Sequence, residues 1–180
     1  MTKTITTKTE LLHEIEETRR QFHQLLDSLP DDAFGQPSSN PAWTIGELLY
    51  HMSIAPRFMV ADVAMVLKRP FLLTFLPKLF PERLFHWLNA HLTRYGARHL
   101  NRQFLADEYN QAHERILQTF RRLDEADLQK SVRYPNWDPL LAGDVTLAYL
   151  FGYIKRHFDS HAADIQAILP DLDRPEPKKY

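Results

Sequence analysis

Four stretches of the chain repeat apolar residues at spacings of three and four, and each predicts an amphipathic helix. The first runs from about Thr7 to Leu29. It places Leu12, Ile15, Phe22, Leu25 or Leu26, and Leu29 inward and Glu14, Glu17, Arg20 and Gln24 outward, and Pro30-Asp31-Asp32 ends it. The second opens on Thr44-Ile45-Gly46-Glu47, a capping box in which threonine and glutamate satisfy each other's free amides. Its stripe is Leu48, His51 or Met52, Ala55, Phe58 or Met59, and Val63, and Lys68-Arg69-Pro70 closes it. Pro56 cannot donate to the carbonyl of Met52, so a kink is expected one turn after His51. The third spans about Asn101 to Leu123, with Leu105, Tyr109, Ala112, Ile116, Phe120 and Leu123 inward and His113 one position off the stripe, at the surface. The fourth spans Val145 to Leu169 along Leu147, Leu150, Ile154, His157, His161, Ile165 and Ile168, with Asp144 or Thr146 as its cap.

The connections differ in character. Asp31 to Trp43 and Asp124 to Asp144 read as loops, rich in Pro, Gly and polar residues. Phe71 to Leu100 is cut by Pro77 and Pro81 and is heavily apolar, too much so for an exposed linker. It is expected to cap the core, wall a pocket or form a dimer contact. Beyond Pro170 the chain is charged, proline-rich and expected to be mobile. Sustained strand alternation and internal repeats are both missing. The expectation is an all-α four-helix bundle over residues 1–169, with an irregular helical insertion between the second and third bundle helices and a flexible tail over 170–180.

Composition narrows the function. The 180 residues suit a single domain. The formal net charge of −1 argues against a general nucleic-acid binder. Without cysteine there is no disulfide, no thiolate ligand and no cysteine nucleophile. The N-terminal residues carry early acids and no apolar core of a signal peptide, and no window suits a transmembrane helix. A cytoplasmic protein is the expectation.

His157 and His161 stand one turn apart on the apolar stripe of the last pattern, an arrangement that can hold one divalent metal. His51, on the seam of the second pattern, is the candidate third ligand. Three imidazoles leave positions open for water or substrate, as catalytic metal sites do, and suit Zn²⁺, Ni²⁺, Fe²⁺ or Co²⁺. Asp159 and Asp164 are candidates to orient a ligand imidazole, and Arg57 and Arg156 to hold a substrate carboxylate. His13 and His23 lie on the flanks of the first stripe and are expected to be solvated or half-buried, and His86, His91 and His99 fall on no ligand-forming spacing. Competing motifs fail. A di-iron carboxylate bundle needs a second ExxH beside Glu10 to His13. Phe158 excludes the HExxH pattern, and there is neither a Gly-x-Ser-x-Gly elbow nor a glycine-rich phosphate loop.

The run Asn40-Pro41-Ala42-Trp43-Thr44-Ile45-Gly46-Glu47-Leu48-Leu49-Tyr50-His51 resembles a W-[ST]-x-x-E-[IL]-[LV]-x-H segment of the DinB/YfiT-like superfamily. Val145-Thr146-Leu147 through His157-Phe158-Asp159-Ser160-His161 to Ile165 resembles that family's last helix, and Tyr134-Pro135 to Gly143-Asp144 its lead-in. The resemblance implies an up-down-down-up bundle with a divalent metal, often nickel or zinc, on histidines matching His51, His157 and His161. It implies activities such as thiol S-transfer with a low-molecular-weight thiol, or small-molecule hydrolysis, and homodimers. The alternative is a non-catalytic metal-binding or dimeric interaction protein of the same fold. Phe71 to Leu100 departs from the family pattern, which leaves substrate class and dimer mode open.

Overall fold

A computed structural model describes residues 7–72, 75, 81–138 and 140–172. The expectations for the extreme N-terminus, for the proline-cut part of the insertion and for residues 173–180 of the tail lie outside them. Four long helices form the bundle: α1 (Lys8–Ser28), α2 (Ile45–Lys68), α4 (Arg102–Arg121) and α6 (Leu147–Gln166). Side-chain caps set their starts. Thr7 and Glu10 form a capping box on α1, and Thr44 and Glu47 form one on α2. Asn101 caps α4 by accepting from the amide of Phe104, and Thr146 caps α6 by accepting from that of Tyr149. α2 is continuous from Ile45 to Lys68 with Pro56 inside it.

Cross-helix contacts give the direction of each helix. Lys8, at the start of α1, donates to the carbonyl of Leu123 just past the end of α4, and Arg102 at the start of α4 donates to the carbonyls of Leu26 and Leu29. These two helices are therefore antiparallel. Tyr50 stacks on Phe104 and Arg57 pairs with Glu108, so α2 and α4 are parallel. Gly152 of α6 packs near Leu11 and Glu14 of α1, a parallel pair, whereas His51 near the start of α2 meets His161 near the end of α6, an antiparallel one. The course is up-down-down-up.

Burial follows the apolar stripes. Leu105, Tyr109, Ala112, Ile116 and Phe120 of α4 are buried, as are Leu48, Met52, Met59 and Val63 of α2. Met59 rather than Phe58 is the inward choice, Phe58 being exposed. The core divides into two apolar clusters. One, at the end where α2 begins, contains Phe22, Leu26, Leu48, Leu105, Tyr109 and Ile165. The other contains Leu11, Ile15, Val63, Ile116, Phe120 and Leu150.

Several expectations are corrected. Asp124 to Asp144 is not a loop. It holds a short helix, α5 (Glu125–Leu128), and an antiparallel hairpin of β1 (Ser131–Asp138) and β2 (Leu141–Thr146). Val132 pairs with Val145 and Tyr134 with Gly143, and the register is irregular between Tyr134 and Asp138. Gly143 has φ 79°, the left-handed region that glycine enters without a Cβ penalty. Val145 and Thr146 thus belong to β2, and α6 starts at Leu147, whose amide donates to the carbonyl of Lys130. The insertion is helical as expected where it forms α3 (Glu82–Gly96), and a helical turn, α7 (Leu169–Leu172), follows α6. His113 is fully buried rather than at the surface, because α4 packs against both α1 and α2 and buries a face wider than one stripe. Among the described residues, no helix is long and apolar enough to cross a membrane.

Candidate metal centre

His51 stands two turns inside α2, and His157 and His161 occupy successive turns of α6. The antiparallel contact of the two helices brings all three rings together, with centroids 4.6 Å (His157–His161), 4.9 Å (His51–His157) and 5.0 Å (His51–His161) apart. Each offers one ring nitrogen, and these donor atoms lie within 4.8 Å of one another. The Nε2 atoms of His51 and His157 face each other at 3.0 Å. Two imidazole nitrogens held at ordinary bonding distance by one Zn²⁺-sized cation stand about 3.0–3.4 Å apart, so this edge fits a shared ion.

The surroundings keep these rings neutral. Burial pushes the His51 pKa down to about 3, and a positive charge on His161 would add to the effect. His157 is held well below the ordinary histidine range, again by burial first and then by its two histidine neighbours. His161 is lowered by burial too, but the carboxylates of Asp164 and Asp138 pull it back up. Neutral imidazoles carry the lone pairs that a cation needs. The donor set is all nitrogen, borderline in softness, and suits a first-row divalent ion better than Ca²⁺ or Mg²⁺.

The walls of the site come from three elements. Trp43, just before the α2 cap, lies with its ring 4.5 Å from His51 and 5.9 Å from His161. The Nε1 of Trp43 and the Nδ1 of His51 are buried and have no hydrogen-bond partner among the described residues. Tyr153, one turn before His157, lies 5.3 Å from it ring to ring, and its hydroxyl donates to Asp138 at the end of β1. Beneath His157 a void of about 10 Å³ is lined by Met52, Pro56, Met59, Tyr109 and Phe158, where the two core clusters meet. That is room for about one water molecule. Pro56, which leaves the Met52 carbonyl without its helical donor, lines this void.

The candidate supporting residues separate. Asp164 Oδ2 lies 3.5 Å from Nδ1 of His161, within ion-pair distance but without a hydrogen bond, on the side from which a carboxylate can orient a ligand ring. Asp159 instead pairs with Lys155 at 2.6 Å on the surface. Arg57 is engaged by Glu108 at 2.9 Å, and Arg156 lies over the Tyr149 ring and donates to the Tyr149 carbonyl at 2.6 Å. Neither arginine is brought to the histidines. Of the remaining histidines, His23 bonds Asn110, His86 lies beside Glu82, and His91 stacks on Trp87, all apart from the three. Trp43 was marked in the sequence only as part of the family-like segment that leads to His51, whereas Tyr153 and Asp138 went unmarked. Of those two, Tyr153 carried a signal, four residues before His157 on the same helix face.

Comparison with known proteins agrees with this architecture. The family model described as the DinB superfamily matches residues 14–165. No curated protein matches the chain. Among solved structures, YfiT from Bacillus subtilis, described as a probable metal-dependent hydrolase with an unusual four-helix bundle topology, is similar at TM-score 0.68 and 14% identity. The match covers 96% of this chain and 91% of that one. A mycothiol-dependent maleylpyruvate isomerase is similar at TM-score 0.66 and 18% identity, covering 94% of this chain but only 65% of the isomerase. At identities this low, the structural similarity shows the shared fold alone. The family match spans most of the chain and includes all three histidines, and the protein belongs to the DinB superfamily.

Proposed function

We propose that His51, His157 and His161 hold one divalent cation, zinc or nickel by donor chemistry, and that the protein is a metal-dependent enzyme acting on a small molecule. The observation that carries this reading is the convergence of three imidazoles from two helices on one point, His157 buried and His51 and His161 half-buried, all with pKa values lowered by burial. The cation supplies Lewis acidity toward a thiol, water or carbonyl brought to it.

The chain's own residues do the rest. α2 and α6 are fixed by core packing on both sides of the site, so the donors are held before any ion arrives. Asp164 orients His161, and Tyr153 holds the Asp138 carboxylate at the hairpin end, where its charge acts on His161. Trp43 closes one flank against water. Since the chain has no cysteine, any thiol in the reaction arrives with the substrate. Thiol S-transfer from a low-molecular-weight thiol and hydrolysis of a small ester or amide are the two reaction classes this favours. They are in keeping with the description of YfiT as a probable metal-dependent hydrolase and with the dependence of the similar isomerase on mycothiol.

The test is turnover. Thiol–electrophile conjugation and an ester panel are assayed with zinc- or nickel-loaded protein, with and without chelator. Chelator-sensitive turnover that His157→Ala abolishes supports the enzyme. A loaded protein inert across both panels would instead favour a metal-binding protein without catalysis.

A further inference from the structure

We infer that α3 and its basic flanks form a docking surface for an anionic lipid bilayer, on which the protein lies without inserting a helix through it. Two observations meet here. The first is exposure. Trp87 is 61% exposed, Tyr95 62%, Leu92 44% and Leu84 41%, and Phe71 at the entry to the segment is 56% exposed. On α3, Leu84, Trp87, His91 and Tyr95 follow one another at helical spacing along the outward face. The opposite face is spoken for: Thr93 is buried, Gly96 abuts Tyr50, and Phe85 stacks on Trp137 of β1. A run of large apolar side chains on the wet side of a well-anchored helix requires a partner.

The second observation is charge. Residues 68–99 contain six basic residues (Lys68, Arg69, Lys78, Arg83, Arg94 and Arg98) and a single acid, Glu82. The segment therefore carries +5 in a chain of net −1, which leaves −6 on the remainder. Charge is segregated onto the same stretch that exposes the aromatics. Lys68, Arg69, Arg83 and Arg98 are all exposed. Interfacial helices combine these features: tryptophan, tyrosine and leucine to enter the headgroup boundary, and arginine or lysine to meet anionic lipid.

Other occupants fit less well. A two-fold contact with a second copy would set the patch against itself and bring the exposed Lys68, Arg69, Arg83 and Arg98 toward their own counterparts. A nucleic acid would use the charge and the rings, but Trp87 already stacks on His91 at an interplanar angle of 10°, and Arg98 lies over Tyr95. Leu84, Leu92 and Phe71 would gain nothing from phosphates or from base stacking on a duplex edge. A bilayer uses all of these groups.

The experiment is flotation of the full chain with vesicles of phosphatidylcholine alone or mixed with phosphatidylglycerol, at low salt and at about 0.5 M salt, where charges are screened beyond a few ångströms. Binding to the anionic vesicles is expected, roughly tenfold or more above that to neutral ones, with most of it lost at high salt. Trp87→Ser and the double variant Arg83→Glu/Arg98→Glu should each weaken it by roughly tenfold or more. Trp87, Arg83 and Arg98 are all exposed, and unchanged far-ultraviolet dichroism and unchanged divalent-metal uptake show that fold and histidine site survive. Equal partition to both vesicle types, or binding that ignores both variants, overturns the inference. So does a dimer that Trp87→Ser dissociates in protein that ignores vesicles, or a salt-sensitive shift of single-stranded DNA in such protein. The metal reading is untouched by any of these outcomes.

Discussion

Replacing Asp62 by asparagine should make the protein more stable at neutral pH and leave it nearly unchanged at acid pH. Asp62 lies on α2, and its carboxyl accepts a hydrogen bond from the hydroxyl of Tyr134 on β1. Burial raises its pKa from 3.8 to about 6, and the Tyr134 bond only partly opposes this. The folded value stands above the unfolded one, so the native state holds the proton more tightly. Between about pH 6 and pH 3.8 the folded protein binds more protons than the unfolded chain, and stability therefore rises as pH falls through that window. Above about pH 6 both states are ionised and the penalty is complete. At 1.36 kcal/mol per tenfold, the shift from 3.8 to about 6 corresponds to about 3 kcal/mol, reduced to about 1–3 kcal/mol by the partial solvation of the side chain. Asparagine cannot ionise, yet it keeps an oxygen for Tyr134. Urea unfolding of both proteins in chelator, at steps from about pH 4.5 to about pH 8, gives the difference curve. The buried histidines titrate alike in both and cancel. The account expects Asp62→Asn to gain about 1–3 kcal/mol at the alkaline end and about a third of that at about pH 4.5, where the unfolded carboxylate is still mostly ionised, the gain vanishing only below pH 3.8. A flat difference, or a loss at high pH, would refute the burial of an ionised carboxylate beneath the hairpin.

Two further outcomes follow from single contacts. A Cβ at Gly96 would lie 2.2 Å from the Tyr50 ring, which is itself stacked on Phe104, so Gly96→Ala should cost about 1–3 kcal/mol by thermal unfolding, and Tyr50→Leu in the same chain should recover most of it; equal losses in both backgrounds would show that α3 does not press on α2 there. Because the Trp43 ring lies 4.5 Å from that of His51, loading with Ni²⁺ or Co²⁺ should quench tryptophan emission; Trp43→Phe should remove that quenching while Trp87→Phe leaves it, and quenching that persists without Trp43 would place the ion elsewhere.

The bundle was legible because its helices announce themselves locally. Thr7 and Thr44 each sit three residues before a glutamate and begin helices where the apolar period begins. The inward stripe of α4 from Leu105 to Phe120 is buried along its length. The hairpin was hidden for equally local reasons. Its alternation of Val132 and Tyr134 stops at Pro135, the register is irregular before Asp138, and Gly143 and Pro139 read as loop residues. His113 shows the limit of a one-stripe reading, since a helix packed on two neighbours buries residues beside its stripe. The three histidines were marked by helical spacing and apolar neighbours, both sequence properties. Their walls were not. Tyr153 with Asp138, and Tyr134 with Asp62, are pairs made by folding across 15 and 72 residues, and no periodicity encodes them. Arg57 and Arg156 look available in the sequence only because Glu108 and the Tyr149 ring are not yet beside them.

Metal content tests the central claim most directly. The chain is purified without an affinity tag and its bound divalent metal is counted by elemental analysis, for the wild type and for His51→Ala, His157→Ala and His161→Ala. The account predicts close to one ion per wild-type chain and little or none in the variants, with the variants still folded. Wild-type protein that neither carries nor takes up a stoichiometric divalent ion, or variants that bind as the wild type does, would contradict it.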